Sequence, residues 1–177
     1  MALDLARAEL EGALAALGAL CRQDTTVLLG GSAALILTNA LRRATNDGDV
    51  IASHPDLGQL QAAIRAVAHD RGLPDGWLNG SVQSYIEVLP PDYETRIKSL
   101  HPFGRLSVSL LGRRDVIVMK FYSGRPKDLL DLEQVRPTAA ELAFTAREVP
   151  RLAKIDSARA KRMQMVLDAW PGTRGGE

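Results

Sequence analysis

Residues 27–51 read VLLGGSAALILTNALRRATNDGDVI, and the folding of this stretch decides the rest of the chain. Thr25-Thr26-Val27-Leu28-Leu29 is β-branched and apolar and stops at Gly30-Gly31, the pattern of a buried strand running into a tight turn. Ser32 to Leu41 resumes a helical pattern, and Asp49-Val50-Ile51-Ala52 predicts a second short strand. A strand that runs into Gly-Gly-Ser and then a helix gathers backbone N–H groups, the Ser32 hydroxyl and the positive end of the helix dipole at one spot, which favours phosphate. The same residues also suit a glycine turn with a serine N-cap and no ligand. Asp47 and Asp49 alternate about Gly48, so on a strand their carboxylates converge on one face. Two adjacent like charges are costly without a cation, and hard oxygen donors of this kind suit Mg²⁺. Asn46-Asp47-Gly48 also reads as a turn, so metal site and turn both stand at this point.

Working outward, Leu3, Leu5, Leu10, Leu14 and Leu17 recur among alanines and predict an amphipathic helix over 3–20. Asp56 is placed as the N-cap of a helix running through Leu60, Ile64 and Val67 to about Gly72. Pro74, Gly76, Gly80, Pro90 and Pro91 then break any long element, leaving room for short strands around Tyr85–Val88 and Arg96–Leu100. Leu106-Ser107-Val108-Ser109-Leu110 alternates at period two and predicts a half-buried strand. Helices follow over 115–123, over 126–135 with Pro126 at its first position, from Ala139, and from Ser157 to about Trp170. The expected fold is α/β: a small mixed sheet from the strands near Thr25, Asp49, Tyr85 and Leu106, flanked by helices, with a C-terminal helical part. Residues 1–135 are expected to form the core, 136–170 to pack on it as helices, and 171–177 to be a frayed tail.

The 177 residues are 46% hydrophobic and 24% charged, the composition of one ordinary globular domain. A chain of this length buries roughly 70% of its unfolded surface and needs no disulfide or structural metal, and with Cys21 as its single cysteine it has no intramolecular bridge. Lys and Arg total 22 against 21 Asp and Glu, so the molecule as a whole lacks the field of a generic nucleic-acid binder. Basic charge is local, at Arg147, Arg151, Lys154, Arg159, Lys161 and Arg162. His54, His69 and His101 have no spacing that suggests a metal cluster. No apolar run approaches the ~20 residues that span a bilayer, and Asp4, Arg7 and Glu9 stand where a secretory signal needs an uncharged core, so a cytoplasmic protein without membrane contact is expected.

Together, the Gly-Gly-Ser turn and Asp47-Gly48-Asp49 one helix later resemble the signature of the polymerase β-type nucleotidyltransferase superfamily. The lead-in Arg42-Arg43-Ala44-Thr45 is similar to that of its minimal members, related to AbiEii-type toxins of type IV toxin–antitoxin systems and their bacterial relatives. Downstream, residues 115–120, ending in Lys120, followed by Gly124-Arg125-Pro126-Lys127-Asp128 and Asp131, resemble the lysine helix and Arg-x-Lys-Asp-x-x-Asp block of the same families. Trp77-Leu78-Asn79 is similar to their tryptophan–leucine–asparagine segment, and the resemblance covers about residues 25–135.

The resemblance implies Mg²⁺ or Mn²⁺ held by Asp47 and Asp49, and a nucleoside triphosphate attacked at its α-phosphate by a hydroxyl acceptor. Gly30, Gly31 and Ser32 would hold the outer phosphates, with Arg43, Thr45, Arg125, Lys127 and Asp128 completing the nucleotide site and Lys120 acting in catalysis. Physically, Lys120 and Arg125 are long cations able to neutralise a triphosphate, and Lys120, amid Val118, Met119, Phe121 and Tyr122, needs a counter-charge. Lys127 and Asp131 are i, i+4 partners that also fit a plain surface pair. Active members carry a third carboxylate on a later strand, and by position Glu87 takes that place, with Glu94 or no residue as the alternatives. Gly48 departs from the usual apolar anchor and predicts a flexible metal site. The acceptor implied is tRNA or a protein side chain, and the partner a cognate antitoxin or toxin. The alternative is a non-catalytic nucleotidyltransferase-like module with a binding, antitoxin or regulatory role.

Overall fold

The computed structural model describes residues 5–171. Five strands, β1 (Thr25–Leu29), β2 (Gly48–His54), β3 (Leu78–Asn79), β4 (Lys98–Ser99) and β5 (Leu106–Leu110), form one sheet in the order β3-β2-β1-β5-β4. The sheet is mixed: β1 runs antiparallel to β2 and parallel to β5, β2 is parallel to β3, and β4 is antiparallel to β5. All residues of the central β1 except Thr26 are buried, as a strand covered on both faces requires. Leu28 faces Ala52 and Leu29 faces Val50, so Ile51 is the extra residue of a bulge in β2.

Helices α1 (Arg7–Leu20), α2 (Gly31–Leu37), α3 (Leu57–Arg71), α4 (Arg113–Ser123), α5 (Pro126–Val135), α6 (Ala139–Leu152) and α7 (Ser157–Ala169) flank this sheet. α1 buries Leu10, Ala13, Leu14, Leu17 and Gly18, one helical stripe, and packs with α3 and β5. α3 begins and ends as its sequence predicts, with the Asp56 carboxylate accepting from the Gly58 N–H (2.8 Å) and Gly72 closing the helix in the left-handed region. Every residue of α4 from Asp115 to Tyr122 is buried, because α2, α5, α6 and α7 surround it. The C-terminal helices are tied to α4 by Arg113, which meets Glu141 of the Thr138–Glu141 capping box at 2.7 Å, and by the edge-on contact of Phe121 with Trp170.

Four expectations are corrected. The first helix, expected over 3–20, begins at Arg7, because Leu5 pairs with Thr45 as an antiparallel bridge. The strand placed around Tyr85–Val88 is a 3₁₀ helix, Gln83–Val88. Val82, Tyr85 and Val88 recur every third residue and take the inner side, while Gln83, Ser84, Ile86 and Glu87 are exposed, so period three prevails over period two. The outer edge of β2 is taken instead by the two residues of β3. The strand expected over 96–100 shrinks to Lys98–Ser99, because Arg96 ends a 3₁₀ turn and is drawn to the buried Asp115 at 2.7 Å. α2 ends at Leu37 rather than Leu41, with Asn39 at φ 58° turning the chain out of the helix. Residues 172–177, placed in the frayed tail, lie outside the described residues.

Gly18 lets α1 meet the turn before β5, since a methyl there would collide with the Phe103 carbonyl oxygen. Gly18→Ala is expected to destabilise the protein by about 1–3 kcal/mol through overpacking, read from urea unfolding midpoints.

Candidate active site

The turn after β1 wraps around the start of β2. The Gly30 N–H donates to the Asp49 carbonyl at 2.8 Å, an approach that the bulge at Ile51 permits. Gly31 has φ 57°, and the Asp49 carboxylate occupies the place where a side chain at Gly31 would begin. Glycine is thus required there twice over, for its backbone and for its missing Cβ. The helix opens at Gly31 with Gly30 as its N-cap, so Ser32 does not cap it. The Ser32 hydroxyl instead donates to Asp131 at 2.8 Å and accepts from Lys120 and Arg43, each at 3.2 Å.

Asp49 is half-buried in a cavity of about 230 Å³ that it shares with Gly31, Ser32, Lys120, Arg125 and Lys127. Burial, and after it the neighbouring charge of Asp47, push its carboxyl above the ordinary range, while Lys127, Arg125 and Lys120 pull it back in part. Asp47 faces a second cavity, of about 350 Å³, with Arg43, Thr45 and Asp131, and Lys127 lines both. The larger cavity of about 560 Å³, between the end of α1 and α3, is lined by Leu20, Cys21, Leu60 and Ala63 with Arg22, Gln23 and Gln59 at its polar side.

Asn79 belongs to this site although sequence reasoning did not select it. It pairs with Asp49 in the register of β2 and β3, and its amide donates to Asp47 at 3.4 Å. Its signal was the Trp77-Leu78-Asn79 segment itself, in which the fully buried Trp77 donates to the Ile64 carbonyl at 3.0 Å. Gly48 is not the loose point expected of it. Its N–H donates to the Trp77 carbonyl at 2.6 Å, and Leu78 lies 3.0 Å from where its Cβ would stand, filling the space of the missing anchor.

Under this site lies a buried ion network. Lys120 Nζ meets Asp131 at 2.7 Å and Asp128 at 3.0 Å, so its partners are these and not Asp47 or Asp49. Arg43 forks onto Asp131 through Nε (2.6 Å) and Nη2 (2.8 Å). Asp128 also accepts from Arg125 (2.7 Å) and Ser123 (2.8 Å). Burial works against both carboxylates, but the hydrogen bonds and charges of Arg43, Lys120 and Ser32 hold Asp131 down to about 2, and those of Arg125, Lys120 and Ser123 hold Asp128 low. The Lys127–Asp131 surface pair is corrected: Asp131 turns inward, and Lys127 stays exposed with no salt bridge among the described residues, its charge acting on Asp49. The signal for this was the spacing of Asp128, Asp131, Leu132 and Val135, which is the buried stripe of α5.

Glu87 is the site residue that the structure does not bring in as expected. It is exposed on the 3₁₀ helix rather than on a strand beside β2, and its carbonyl accepts from Arg151 at 3.1 Å. Glu94 is exposed on the next 3₁₀ turn. Among the described residues, no group of three or more acidic, histidine or cysteine side chains is placed to hold a metal. Thr45 is buried and fixed by a backbone bridge to Leu5 (2.7 and 2.9 Å) that orients the approach to Asp47.

A small mixed sheet whose glycine turn closes on Asp49 of the next strand, with Asp47 just ahead of that strand, fits a nucleotidyltransferase-like protein. Residues 9–140 match the family DUF6036, described as a nucleotidyltransferase of unknown function, and the chain belongs to that family. No curated protein and no solved structure matches the chain. No helix among the described residues is long and apolar enough to cross a membrane.

Asp131→Asn is expected to cost about 3–5 kcal/mol, because it leaves Lys120 buried with one counter-charge fewer. A carboxyl lowered from 3.8 to about 2 contributes stability that is complete above its unfolded pKa and is lost as pH falls from 4 towards 2. Urea unfolding between pH 6 and pH 2 should therefore show wild type losing about 2 kcal/mol more than Asp131→Asn.

Proposed function

We propose that the protein transfers a nucleoside monophosphate from a nucleoside triphosphate to a hydroxyl acceptor, the new oxygen–phosphorus bond replacing the α–β phosphoanhydride bond with release of pyrophosphate and of the hydroxyl proton to solvent, and with a divalent cation held by Asp47 and Asp49. The observation that carries this reading is the neighbouring carboxylates at the start of β2: Asp49 on the strand, set against the glycine turn and beside Arg125 and Lys127, and Asp47 just ahead of it, close enough for its charge to act on Asp49. The donor set fits a hard cation: oxygen ligands, like charges side by side, and an Asp49 carboxyl whose ionised form is penalised until a positive charge joins it. When bound, Mg²⁺ or Mn²⁺ neutralises phosphate charge and orients the α-phosphate. Asn79 holds Asp47 in place for that task. Lys127, free of salt bridges among the described residues, and Arg125, kept protonated by Asp128, are the groups that receive the outer phosphates. Ser32, Arg43, Lys120 and Asp128 act one layer below, by holding these groups in position.

The resemblance to AbiEii-type toxins extends the proposal to tRNA or a protein side chain as acceptor and to a cognate antitoxin or toxin as partner. A second reading, nucleotide binding without transfer in an antitoxin or regulatory role, is favoured by one observation: Glu87 is exposed on a 3₁₀ helix, not on a strand beside the pair.

Incubation with each labelled nucleoside triphosphate, Mg²⁺ or Mn²⁺, and total tRNA or cell lysate tests the proposal. Label is expected on an acceptor, abolished in Asp47→Ala and Asp49→Ala and retained in the surface control Arg65→Ala. Nucleotide binding with no labelled product across all four nucleotides would count against transfer and in favour of the second reading.

A further inference from the structure

The cavity that holds Asp49 has two unlike walls. Lys120, Arg125 and Lys127 line one part, while the segment after β3 contributes Val82 and the half-buried Tyr85. Tyr85 is held from two directions. Its ring meets Tyr122 edge-on, with centroids 6.2 Å apart and planes at 83°, and its hydroxyl accepts from Arg159 Nη1 at 3.0 Å. Arg159 is itself pinned, with its guanidinium carbon 5.2 Å from the Tyr122 ring centroid and its backbone N–H donating to the Asp156 N-cap at 2.9 Å. It belongs to α7, beyond residue 140, where the family match ends. A ring fixed by its neighbour and by its hydroxyl, and still lining the Asp49 cavity, is a pre-organised aromatic surface.

We infer that Tyr85 is the stacking surface for the nucleobase and that Arg159 is a positioning residue, holding that ring from the C-terminal helices. The inference rests on the nucleotide reading above and adds the direction of the substrate: phosphates towards Arg125 and Lys127, base towards Tyr85. Stacking is tolerant of base identity because every base has a π-face, so this wall favours nucleotides over bare triphosphate without selecting one base.

Calorimetric titration of the full chain with Mg²⁺ and either ATP or inorganic tripolyphosphate tests it. Tyr85→Ala is expected to weaken ATP binding by about tenfold or more and to leave tripolyphosphate binding unchanged. Tyr85→Phe and Arg159→Ala should each weaken ATP binding about threefold, and the double variant no further, because both remove the same hydrogen bond. ATP bound by Tyr85→Ala as tightly as by wild type, with tripolyphosphate also bound, overturns the inference and leaves the nucleotidyl-transfer reading standing. Wild-type protein that binds neither ligand overturns both. If Tyr85→Ala loses both ligands through a collapsed site, the milder variants decide: equal, non-additive losses confined to ATP support the stacking role, and losses shared with tripolyphosphate overturn it.

Discussion

A charged side chain on a helix with no solvent-facing side must bring its counter-charges with it, and Lys120 sets that requirement here. Its partners, Asp128 and Asp131, come from α5, folded back by the left-handed Gly124 that ends α4. Asp131 then reaches Ser32 at the start of α2 and Arg43 in the loop before β2. One carboxylate thus ties together both segments that flank Asp49. The desolvation of such a cluster offsets most of its Coulombic gain, so its value lies less in net stability than in the cost of any arrangement that leaves a charge unpaired. The glycine turn and the approach to Asp47 are held in register by that cost.

The network also divides the cations into two kinds. Lys120 and Arg43 are spent on Asp128 and Asp131, and Ser32 is committed to the same acceptor. Arg125 shares Asp128 but remains exposed, and Lys127 projects between the two cavities with its charge directed at Asp49. An anion arriving at the cavity meets the second kind first. Resemblance to a motif marks both kinds alike, because a residue that supports a site recurs with the site as faithfully as one that touches substrate; only the distances separate them.

Much of the fold was legible in the sequence because local pattern and tertiary context agree there. β1 and β5 match their apolar runs residue for residue, α3 begins and ends at the signals of Asp56 and Gly72, and α5 begins at Pro126. The reading failed where two periods fit the same residues. Ser84-Tyr85-Ile86-Glu87-Val88 alternates as a strand, yet Val82, Tyr85 and Val88 also recur in threes, and the edge of β2 was already occupied by Leu78 and Asn79. The nearness of Asp47 and Asp49 was legible from their spacing, but not their separation: β2 begins at Gly48, so Asp47 stands just ahead of the strand and faces one cavity while Asp49 faces the other. The inward turn of Asp131 was hidden because its nearest cation in sequence, Lys127, offered a plausible surface pair, while its actual partner Arg43 is 88 residues away.

Gly48 shows how a departure from a pattern is absorbed by the strand beside it. With no side chain between the two aspartates, β2 lacks its own anchor, but Leu78 stands opposite in the register and is buried in the vacated space. Trp77 completes the substitution, binding α3 through its indole and β2 through its carbonyl. The anchor has moved from β2 to β3, and with it Asn79 is brought to Asp47 as part of the same two-residue strand. A longer β3 would carry its residues further along β2; this one ends at Asn79, and the chain is released into the 3₁₀ helix that places Tyr85 in the Asp49 cavity and Glu87 in solvent. The shortness of one edge strand therefore decides both what the aspartate pair gains, an amide on one side and an aromatic wall across the cavity, and what it does not gain from Glu87, the third carboxylate.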